Sequence, residues 1–321
     1  MKNKFIAYII AAFVLILAIR QTFAASPSEA NRISYPVRVA VVTDATELRL
    51  SIQGECYIYT LPLLSEISKS SGLNNVTIKP VYSGLILGNE EFKIYGVKIV
   101  ARAGSDIVIN GRKFRGEMDI IRTEALRLLA INHLDIEDYV SGVLYHEVSH
   151  WWPMETLKAQ AIAARTFAIF RSMESKNKDY DLTSDVYSQV YGGKSSERFR
   201  TSRAVEETKG EILIFKNKIL PAYYHATCGG HTEDANELWN TRLTPLRGRA
   251  CSYCKNSPHY QWEAEMSLQD IEQSLKSSGY KIKGVKTIEV LSRNESGRAK
   301  VIAVVDLLGT EKIAANKFRL V

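Results

Sequence analysis

The chain has 321 residues, of which 45% are hydrophobic, and this apolar content is enough for one large domain or two modest ones. Its formal net charge is +7, with 42 basic and 35 acidic residues, and it contains no run of Lys or Arg. The composition therefore argues against a nucleic-acid partner, while a mild basic excess suits an anionic polymer of the cell envelope.

The first 24 residues have the pattern of a secretory signal peptide. Lys2 and Lys4 precede an apolar run at residues 5–19, which is too short to span a bilayer comfortably. Ala24 and Ala25 supply small residues for cleavage. An uncleaved membrane anchor is the alternative. Both interpretations predict an extracytoplasmic protein of the cell envelope, secreted or anchored by this segment.

The rest of the chain is predicted to be α+β, with a β-rich accessory module at 25–126 and a mixed catalytic region at 127–321. In the first module, Asn110-Gly111 separates two short β-rich segments. It predicts a hairpin with a type I′ turn, because both residues tolerate positive φ. No pattern in this module indicates chemistry, and Cys56 is interpreted as a small buried residue.

Two consecutive helices are predicted in the catalytic region. Asp135 is placed to cap the first helix, and apolar residues follow at helical spacing over 136–144. This helix should end between Glu147 and His150, because Pro153 follows closely and restricts the residue before it to extended geometry.

The second helix is predicted from Pro153 to about Met173 and is apolar nearly all round. Its stripe of alanines allows another backbone to approach closely, so this Ala-rich helix should be buried. Gln160 and Arg165 lie within it, and their polar heads need partners. Two interpretations stay open: neighbouring carbonyls satisfy both side chains, or both line a cleft beside Glu147.

Residues 146–150 read H-E-x-x-H, the pattern in which two His on one helical turn hold the zinc of a protease. A helix of that class must continue past the second His and deliver a third ligand. Here Trp151-Trp152-Pro153 breaks the helix at once. The competing hypothesis needs only Glu147, as a lone catalytic acid at the end of a helix, and we favour it.

The segment from Asp185 to Gly193 alternates Tyr with polar residues and ends in two glycines. Rings that stack on sugars and amides that bond hydroxyls would suit a sugar-binding surface, but an ordinary half-buried strand is the favoured prediction. Further strands are predicted at 212–215 and 219–225, and a short helix at 201–208.

A second cluster of polar residues combines a Cys-x-x-His with a Cys-x-x-Cys, and its members are Cys228, His231, Cys251 and Cys254. This spacing is typical of a zinc site, and four protein ligands would make that zinc structural. The alternative is a disulfide, which an exported chain favours by compartment, between Cys228 and either Cys251 or Cys254.

Several sequence blocks occur in an order that resembles one known family. They are Leu134-Asp135-Ile136-Glu137-Asp138-Tyr139-Val140-Ser141-Gly142-Val143, Leu157-Lys158-Ala159-Gln160-Ala161-Ile162-Ala163-Ala164-Arg165-Thr166-Phe167-Ala168, Ser188-Gln189-Val190-Tyr191 and His225-Ala226-Thr227-Cys228-Gly229-Gly230-His231-Thr232-Glu233. With Glu147 between the first two, they resemble the SpoIID/LytB family of stage II sporulation protein D-like peptidoglycan lytic transglycosylases and amidase enhancers.

The resemblance implies cleavage of the MurNAc-β-1,4-GlcNAc bond of peptidoglycan glycan strands, leaving 1,6-anhydroMurNAc ends, with Glu147 as the single general acid and base. No cofactor is required, because the C6 hydroxyl of the sugar is the internal nucleophile. Further candidates for substrate contact are Gln160, Arg165, Tyr187 and Gln189. The alternative within the same resemblance is a non-catalytic wall-binding module that stimulates a cell-wall amidase.

One departure from the family concerns a different metal site. Some members bind zinc through a Cys and a His-Cys pair that precede the block matching Gln189. Thr183, Tyr187 and Ser188 occupy those places here, so this zinc site is not expected in the chain.

Overall fold

The computed structural model describes residues 35–175 and 178–321, so the predicted signal peptide lies outside the described residues. Helices and strands are mixed, which confirms the α+β prediction. Within the described ranges, no helix is both long and apolar enough to cross a membrane. The chain divides into two compact units between Gly210 and Glu211.

In the part of the first unit that the structure describes, there are a large sheet and three α-helices. Its strands are β1 (Pro36–Ala45), β2 (Leu48–Leu61), β3 (Glu66–Val81), β4 (Gly84–Leu87), β5 (Glu90–Phe92), β6 (Gly96–Ala101), β7 (Ile107–Ile109), β8 (Arg112–Phe114), β9 (Glu117–Arg122), β10 (Leu128–Asp135) and β11 (Leu182–Thr183). Its helices are α1 (Ile136–Glu147), α2 (Met154–Glu174) and α3 (Phe199–Glu207).

The strand order in this sheet is β11-β1-β10-β9-β6-β2-β3-β4-β5, and the β7–β8 hairpin pairs with β2. β1 pairs antiparallel with β10 and parallel with β11. Val37 and Val39 on β1 are fully buried, while Arg38 between them stays partly exposed, as the period of two in a strand requires. The central strands therefore form one wall of the core.

The β7–β8 hairpin confirms the sequence prediction at 106–114. Its turn residues have φ values of 50° at Asn110 and 81° at Gly111, which is the left-handed region that a type I′ turn demands. The side chain of Asn110 also accepts a hydrogen bond from the backbone N–H of Arg49 at 2.9 Å. That bond joins the turn to the start of β2.

Helix α1 begins and ends where the sequence indicates. The Oδ1 atom of Asp135 accepts a hydrogen bond from the backbone N–H of Glu137 at 2.9 Å, which is the predicted cap. The helix ends at Glu147, and Val148 is already extended. Helix α2 starts directly after Pro153, whose ring favours a helix start and blocks its backward extension.

Helix α2 is buried along its alanine stripe, as predicted. Leu157, Ala161, Ala164 and Ala168 are all fully buried. Small side chains on this face let α1 and α3 pack closely against the helix. The same close packing surrounds Arg165, which must then find its partners inside the unit.

Arg165 is only 1% exposed, and an ion pair with Glu137 of α1 neutralises it. Its Nη2 donates to Glu137 Oε2 at 2.6 Å and its Nε donates to Glu137 Oε1 at 3.0 Å. Nη2 also lies 3.2 Å from the carbonyl oxygen of Val205 on α3. Glu137 Oε1 accepts a further bond from the N–H of Gly210 at 3.0 Å. The pair thus joins all three helices.

The second unit has a smaller core. Its elements are β12 (Ile214–Phe215), β13 (Lys218–Ile219), α4 (Ala235–Trp239), α5 (Leu268–Ser277), β14 (Thr287–Arg293), β15 (Ala299–Val305), β16 (Thr310–Ala314) and α6 (Ala315–Phe318). β14, β15 and β16 form an antiparallel sheet. Leu275 of α5 packs in one cluster with Ile282, Val304 and Ile313.

Two sequence expectations differ from this architecture. The boundary predicted at residue 126 falls between β9 and β10, which are hydrogen-bonded neighbours in one sheet, so the compact units divide near residue 210 instead. The strands predicted at 212–215 and 219–225 shorten to a small hairpin of β12 and β13. Lys216 and Asn217 form its turn with positive φ, and Pro221 follows closely, with no N–H for a ladder.

The ion pair gives a stability prediction. We expect Glu137→Gln to lower the free energy of unfolding by about 3–5 kcal/mol, because it leaves a buried guanidinium without its counter-charge. Urea denaturation of the wild type and the variant measures the difference. Glu174→Gln is the control, since Glu174 pairs with Arg171 at the surface, and it should cost less than about 1 kcal/mol. Similar losses of unfolding free energy in both variants would show that the buried ion pair contributes no more to stability than the surface pair.

Candidate active site

Glu147 lies at the C-terminal end of α1 and is partly exposed. Its Oε1 atom accepts a hydrogen bond from the backbone N–H of Val190 at 3.1 Å. This bond fixes one carboxylate oxygen, while Oε2 stays available to a molecule that approaches from the solvent side. A carboxyl held in this way on a helix end is a suitable proton donor and acceptor.

The segment that contains Val190 is a loop, so the prediction of a strand at 185–193 is wrong. Asp185 starts a turn: its Oδ1 accepts hydrogen bonds from the N–H of Tyr187 at 2.9 Å and from the hydroxyl of Thr183 at 2.7 Å. An Asp side chain that bonds to the backbone two residues later offers an alternative to a strand ladder. The alternation of Tyr and polar residues therefore does not reflect a pleated strand.

The loop lies close against α1 because two glycines allow it. The N–H of Gly192 donates to the carbonyl of Gly142 at 3.1 Å. A Cβ on Gly142 would lie 2.5 Å from the ring of Tyr191. Tyr191 is buried, and its hydroxyl donates to Asn132 Oδ1 of β10 at 2.9 Å. Sheet, helix and loop are thus joined next to Glu147.

His146 participates in this junction. Its Nε2 lies 2.7 Å from Ser196 Oγ, and a Cβ on Gly192 would lie 2.4 Å from the same nitrogen. Burial of the ring lowers the pKa of His146, and the nearby cations Arg112 and Arg198 lower it further, while Glu147 opposes them. The neutral imidazole is therefore favoured, and it serves the contact with the loop.

His150 packs against aromatic neighbours. Its ring centroid lies 4.6 Å from that of Trp151 and 5.5 Å from that of Tyr145. Within residues 35–175 and 178–321, no group of three or more close metal-ligating side chains includes His146 or His150. The H-E-x-x-H hypothesis thus gains no support from the geometry.

Exposed aromatic side chains lie beside Glu147 in sequence and on the loop that bonds it. The exposed fractions are 76% for Trp151, 48% for Trp152 and 86% for Tyr187. The guanidinium of Arg200 binds the carbonyl oxygens of His150 and Trp152, both at 2.9 Å, and so fixes the turn between α1 and α2. Flat, solvent-facing rings of this kind are suited to stacking on sugar faces.

The four further candidates for substrate contact fall into two groups. Arg165 and Gln189 are each 1% exposed and bonded inside the unit, so they hold the helices and the loop. Gln189 accepts from the hydroxyl of Tyr139 at 3.1 Å and donates to the carbonyl of Ala164 at 3.4 Å. Tyr187 faces solvent. Gln160 has a buried Nε2 with no hydrogen-bond partner among the described residues, and that atom is closed to solvent.

In the second unit, the structure brings together three of the four candidate metal ligands. The sulfur atoms of Cys228, Cys251 and Cys254 lie within 4.8 Å of one another. His231 is not part of this group, because neither of its ring nitrogens lies within 4.8 Å of all three sulfur atoms.

Known proteins are similar to this chain over the residues that form the Glu147 site. The SpoIID family model, described as Stage II sporulation protein, matches residues 124–215 and so includes Glu147 and Val190. An uncharacterized protein of Brachyspira hyodysenteriae is 33% identical over 269 residues, which is 84% of this chain and 72% of that protein. The chain belongs to the SpoIID family.

Other members of the SpoIID family have informative names. A "Stage II sporulation protein D" of Bacillus amyloliquefaciens is 28% identical over 192 residues, and the chain spans about half of its length, 55%. An "Amidase enhancer" of Bacillus subtilis (strain 168) is 32% identical over 133 residues, which is 41% of this chain and 17% of that protein.

Several contributors to this SpoIID site escaped the sequence analysis. Glu147 is bonded by the backbone N–H of Val190, and the identity of a side chain does not indicate a backbone contact. Ser196 lies 50 positions from His146, too far for a local sequence pattern to connect them. Arg200 binds backbone carbonyl oxygens, which every residue has, so the sequence does not indicate its partners. The one usable signal was Gly192-Gly193, since paired glycines beside a polar segment indicate close backbone approach.

The glycine contact yields a prediction. A Cβ on Gly192 would overlap Ser196 Oγ at 1.7 Å, so Gly192→Ala should push the loop away from α1 and lower the free energy of unfolding by about 1–3 kcal/mol. Thermal unfolding measures this, and hydrogen exchange of the Val190 amide reports its bond to Glu147. Gly104→Ala is the control for the amide: its added Cβ has no atom within 4 Å, but its φ of 88° makes any side chain strained there, so it should lower stability without selectively exposing the Val190 amide. An unchanged Val190 amide in Gly192→Ala would contradict the packing argument.

Proposed function

We propose that this protein is a peptidoglycan lytic transglycosylase in which Glu147 is the single general acid and base. The observation that carries the proposal is the position of Glu147: it ends a helix, one oxygen is fixed by the N–H of Val190, and solvent-facing aromatics flank it in the chain. The family resemblance supplies the substrate, the MurNAc-β-1,4-GlcNAc bond of glycan strands. A location outside the cytoplasm, at the cell wall, is part of the proposal.

One carboxyl is enough for this reaction. Glu147 gives its proton to the glycosidic oxygen as the C1–O4 bond breaks, and GlcNAc leaves with a 4-hydroxyl. The C6 hydroxyl of MurNAc then bonds to C1, and its proton returns to Glu147. The product carries a 1,6-anhydro bridge, and no water is consumed. Hydrolases need a second carboxylate for a water or a covalent intermediate, whereas the internal nucleophile removes that need.

The surrounding groups have defined roles in the proposal. The Val190 N–H orients the carboxyl, so that Oε2 faces the reacting oxygen. Exposed rings of Trp151 and Tyr187 stack on sugar faces. Arg165 and Gln189 do not contact the substrate, and their role is to hold the helices and the loop in position.

The carboxyl gives the central prediction. Glu147→Gln should lower release of anhydro-muropeptides from purified peptidoglycan by about 10²–10⁴-fold, because the amide cannot exchange the proton. Mass spectrometry of the products measures this, with intact and peptide-stripped wall as parallel substrates. Glu155→Gln makes the same chemical change at an exposed site on α2 and should leave release intact.

Two outcomes would defeat this mechanism. Undiminished release from Glu147→Gln would remove the carboxyl from it. Products heavier by one water, with ordinary reducing ends, would show a hydrolase.

The histidines give a separate prediction that tests the zinc-protease hypothesis. We expect His146→Ala and His150→Ala to lower release by less than about tenfold. His146 loses one hydrogen-bond contact and His150 loses ring packing, each worth roughly 0.5–1.5 kcal/mol. Losses as deep as that of Glu147→Gln, accompanied by loss of a bound zinc from both variants, would instead favour the protease.

A second function is favoured by one comparison, the relative named "Amidase enhancer". In that case the chain would bind glycan strands and stimulate a cell-wall amidase without cleaving them. An assay of amidase rate on purified wall separates the two functions: stimulation that survives Glu147→Gln supports the enhancer, and stimulation that disappears with the anhydro products supports the enzyme.

A further inference from the structure

The second unit contains three cysteines whose sulfur atoms converge. The Sγ atoms of Cys228, Cys251 and Cys254 lie within 4.8 Å of one another, and those of Cys228 and Cys254 are 3.5 Å apart. Cys228 is 3% exposed, while the other two are partly exposed. All three are free thiols. Three convergent thiols from two separate loops form a built cluster rather than an isolated reactive cysteine.

The spacing of the sulfurs matches a metal. Zinc binds thiolates at about 2.3 Å in tetrahedral geometry, which places two sulfurs about 3.8 Å apart. A disulfide needs about 2.05 Å between two sulfurs and leaves the third unused. We propose that Cys228, Cys251 and Cys254 bind one Zn²⁺ through three thiolates, and that His231 is not a ligand.

The backbone holds the two loops in register without help from the thiols. The N–H of Cys251 donates to the carbonyl of Gly230 at 2.9 Å, and the N–H of Thr232 donates to the carbonyl of Arg249 at 2.9 Å. His231 and Ala250 form the bridge between these bonds. This short ladder positions the Cys-x-x-Cys loop opposite Cys228. A zinc site whose ligands come from two separate loops requires such an arrangement.

A cation lies beside the cluster. Arg298 donates from Nη2 to the carbonyl of Cys228 at 2.6 Å and from Nη1 to the carbonyl of His231 at 3.0 Å. Three thiolates and one Zn²⁺ carry a net charge of −1, and the guanidinium of Arg298 is of opposite sign to that charge. Arg298 also fixes the backbone of the first loop on both sides of its two glycines.

His231 is directed to a different environment. Its Nδ1 meets the carbonyl of Thr232, and its Cε1 lies 3.2 Å from the point where a Cβ on Gly248 would be. It lines a cavity of about 310 Å³ with acidic and amide side chains of the same unit. The fourth zinc position is therefore left to water or another small ligand.

The fold around the cluster gives a reason for a metal. Between residues 220 and 266, the described elements are α4 and one short 3₁₀ turn, and the apolar cluster of this unit lies after residue 267. A loop-rich segment with so little buried apolar surface gains stability from a metal that binds only the folded form. The site is thus a cross-link for the loops.

Metal analysis of the full chain, purified with a Strep tag in place of a His tag, tests the proposal. We expect about one zinc per chain, with three sulfur ligands and one lighter ligand in X-ray absorption. After denaturation in chelator, all 4 cysteines of the chain should titrate as free thiols. Cys254→Ser should lose at least tenfold in zinc retained against a chelator, while His231→Ala and Cys56→Ala should keep the wild-type content.

Three outcomes overturn the proposal. Absence of zinc with only two free thiols after denaturation would establish a disulfide. Absence of zinc with four free thiols would establish a reduced cluster that holds no metal. Zinc lost equally from His231→Ala and Cys254→Ser would restore the four-ligand site. If Cys254→Ser fails to fold, the thiol count and the absorption spectrum of the wild type still decide.

Discussion

The first unit depends on a guanidinium that is buried at the meeting point of three helices. Removing Arg165 from water is unfavourable, and only a well-aligned counter-charge offsets that penalty. Glu137 supplies it from the first turn of α1, and the same carboxylate accepts from the N–H of Gly210 after α3. Because the pair accepts few other geometries, it sets how α1 lies against α2. The position of Glu147, at the end of α1, therefore depends on this ion pair.

The candidate site combines this rigid helix end with an irregular loop. A helix positions a carboxyl precisely in space but leaves its last carbonyls and side chains open to solvent. The loop at 185–193 supplies what the helix lacks, a backbone N–H directed at Glu147 Oε1, and it also contains the exposed Tyr187. Function on a loop that a scaffold holds in place is a common arrangement in enzymes. Gly142 and Gly192 make the close approach of loop and helix sterically possible.

Sequence reasoning recovers what local rules determine. The hairpin at Asn110-Gly111, the cap at Asp135 and the helix start after Pro153 each follow from one or two neighbouring residues, and the structure confirms them. Periodicity predicts a strand at 185–193, but the structure has a loop there. Periodicity cannot show that the side chain of Asp185 accepts a hydrogen bond from the N–H of Tyr187. Arg165 was correctly expected to need a partner, but Glu137 lies 28 positions away and no local pattern names it. His231 fits a zinc spacing in sequence, but the fold places both of its ring nitrogens outside the group of three sulfur atoms.

The two sets of chemistry in the chain make different demands on the protein. Acid and base catalysis by Glu147 needs a carboxyl that exchanges protons with solvent-borne substrate, so its surroundings stay partly open. Three thiolates that hold a metal make a different demand, because a cross-link between loops is useful only when it is stable. The first set lies in the segment that the family model matches, at 124–215, and the cysteines lie after it. In the two proposals, the metal therefore serves stability, and the chemistry on glycan strands belongs to a carboxyl that requires no metal.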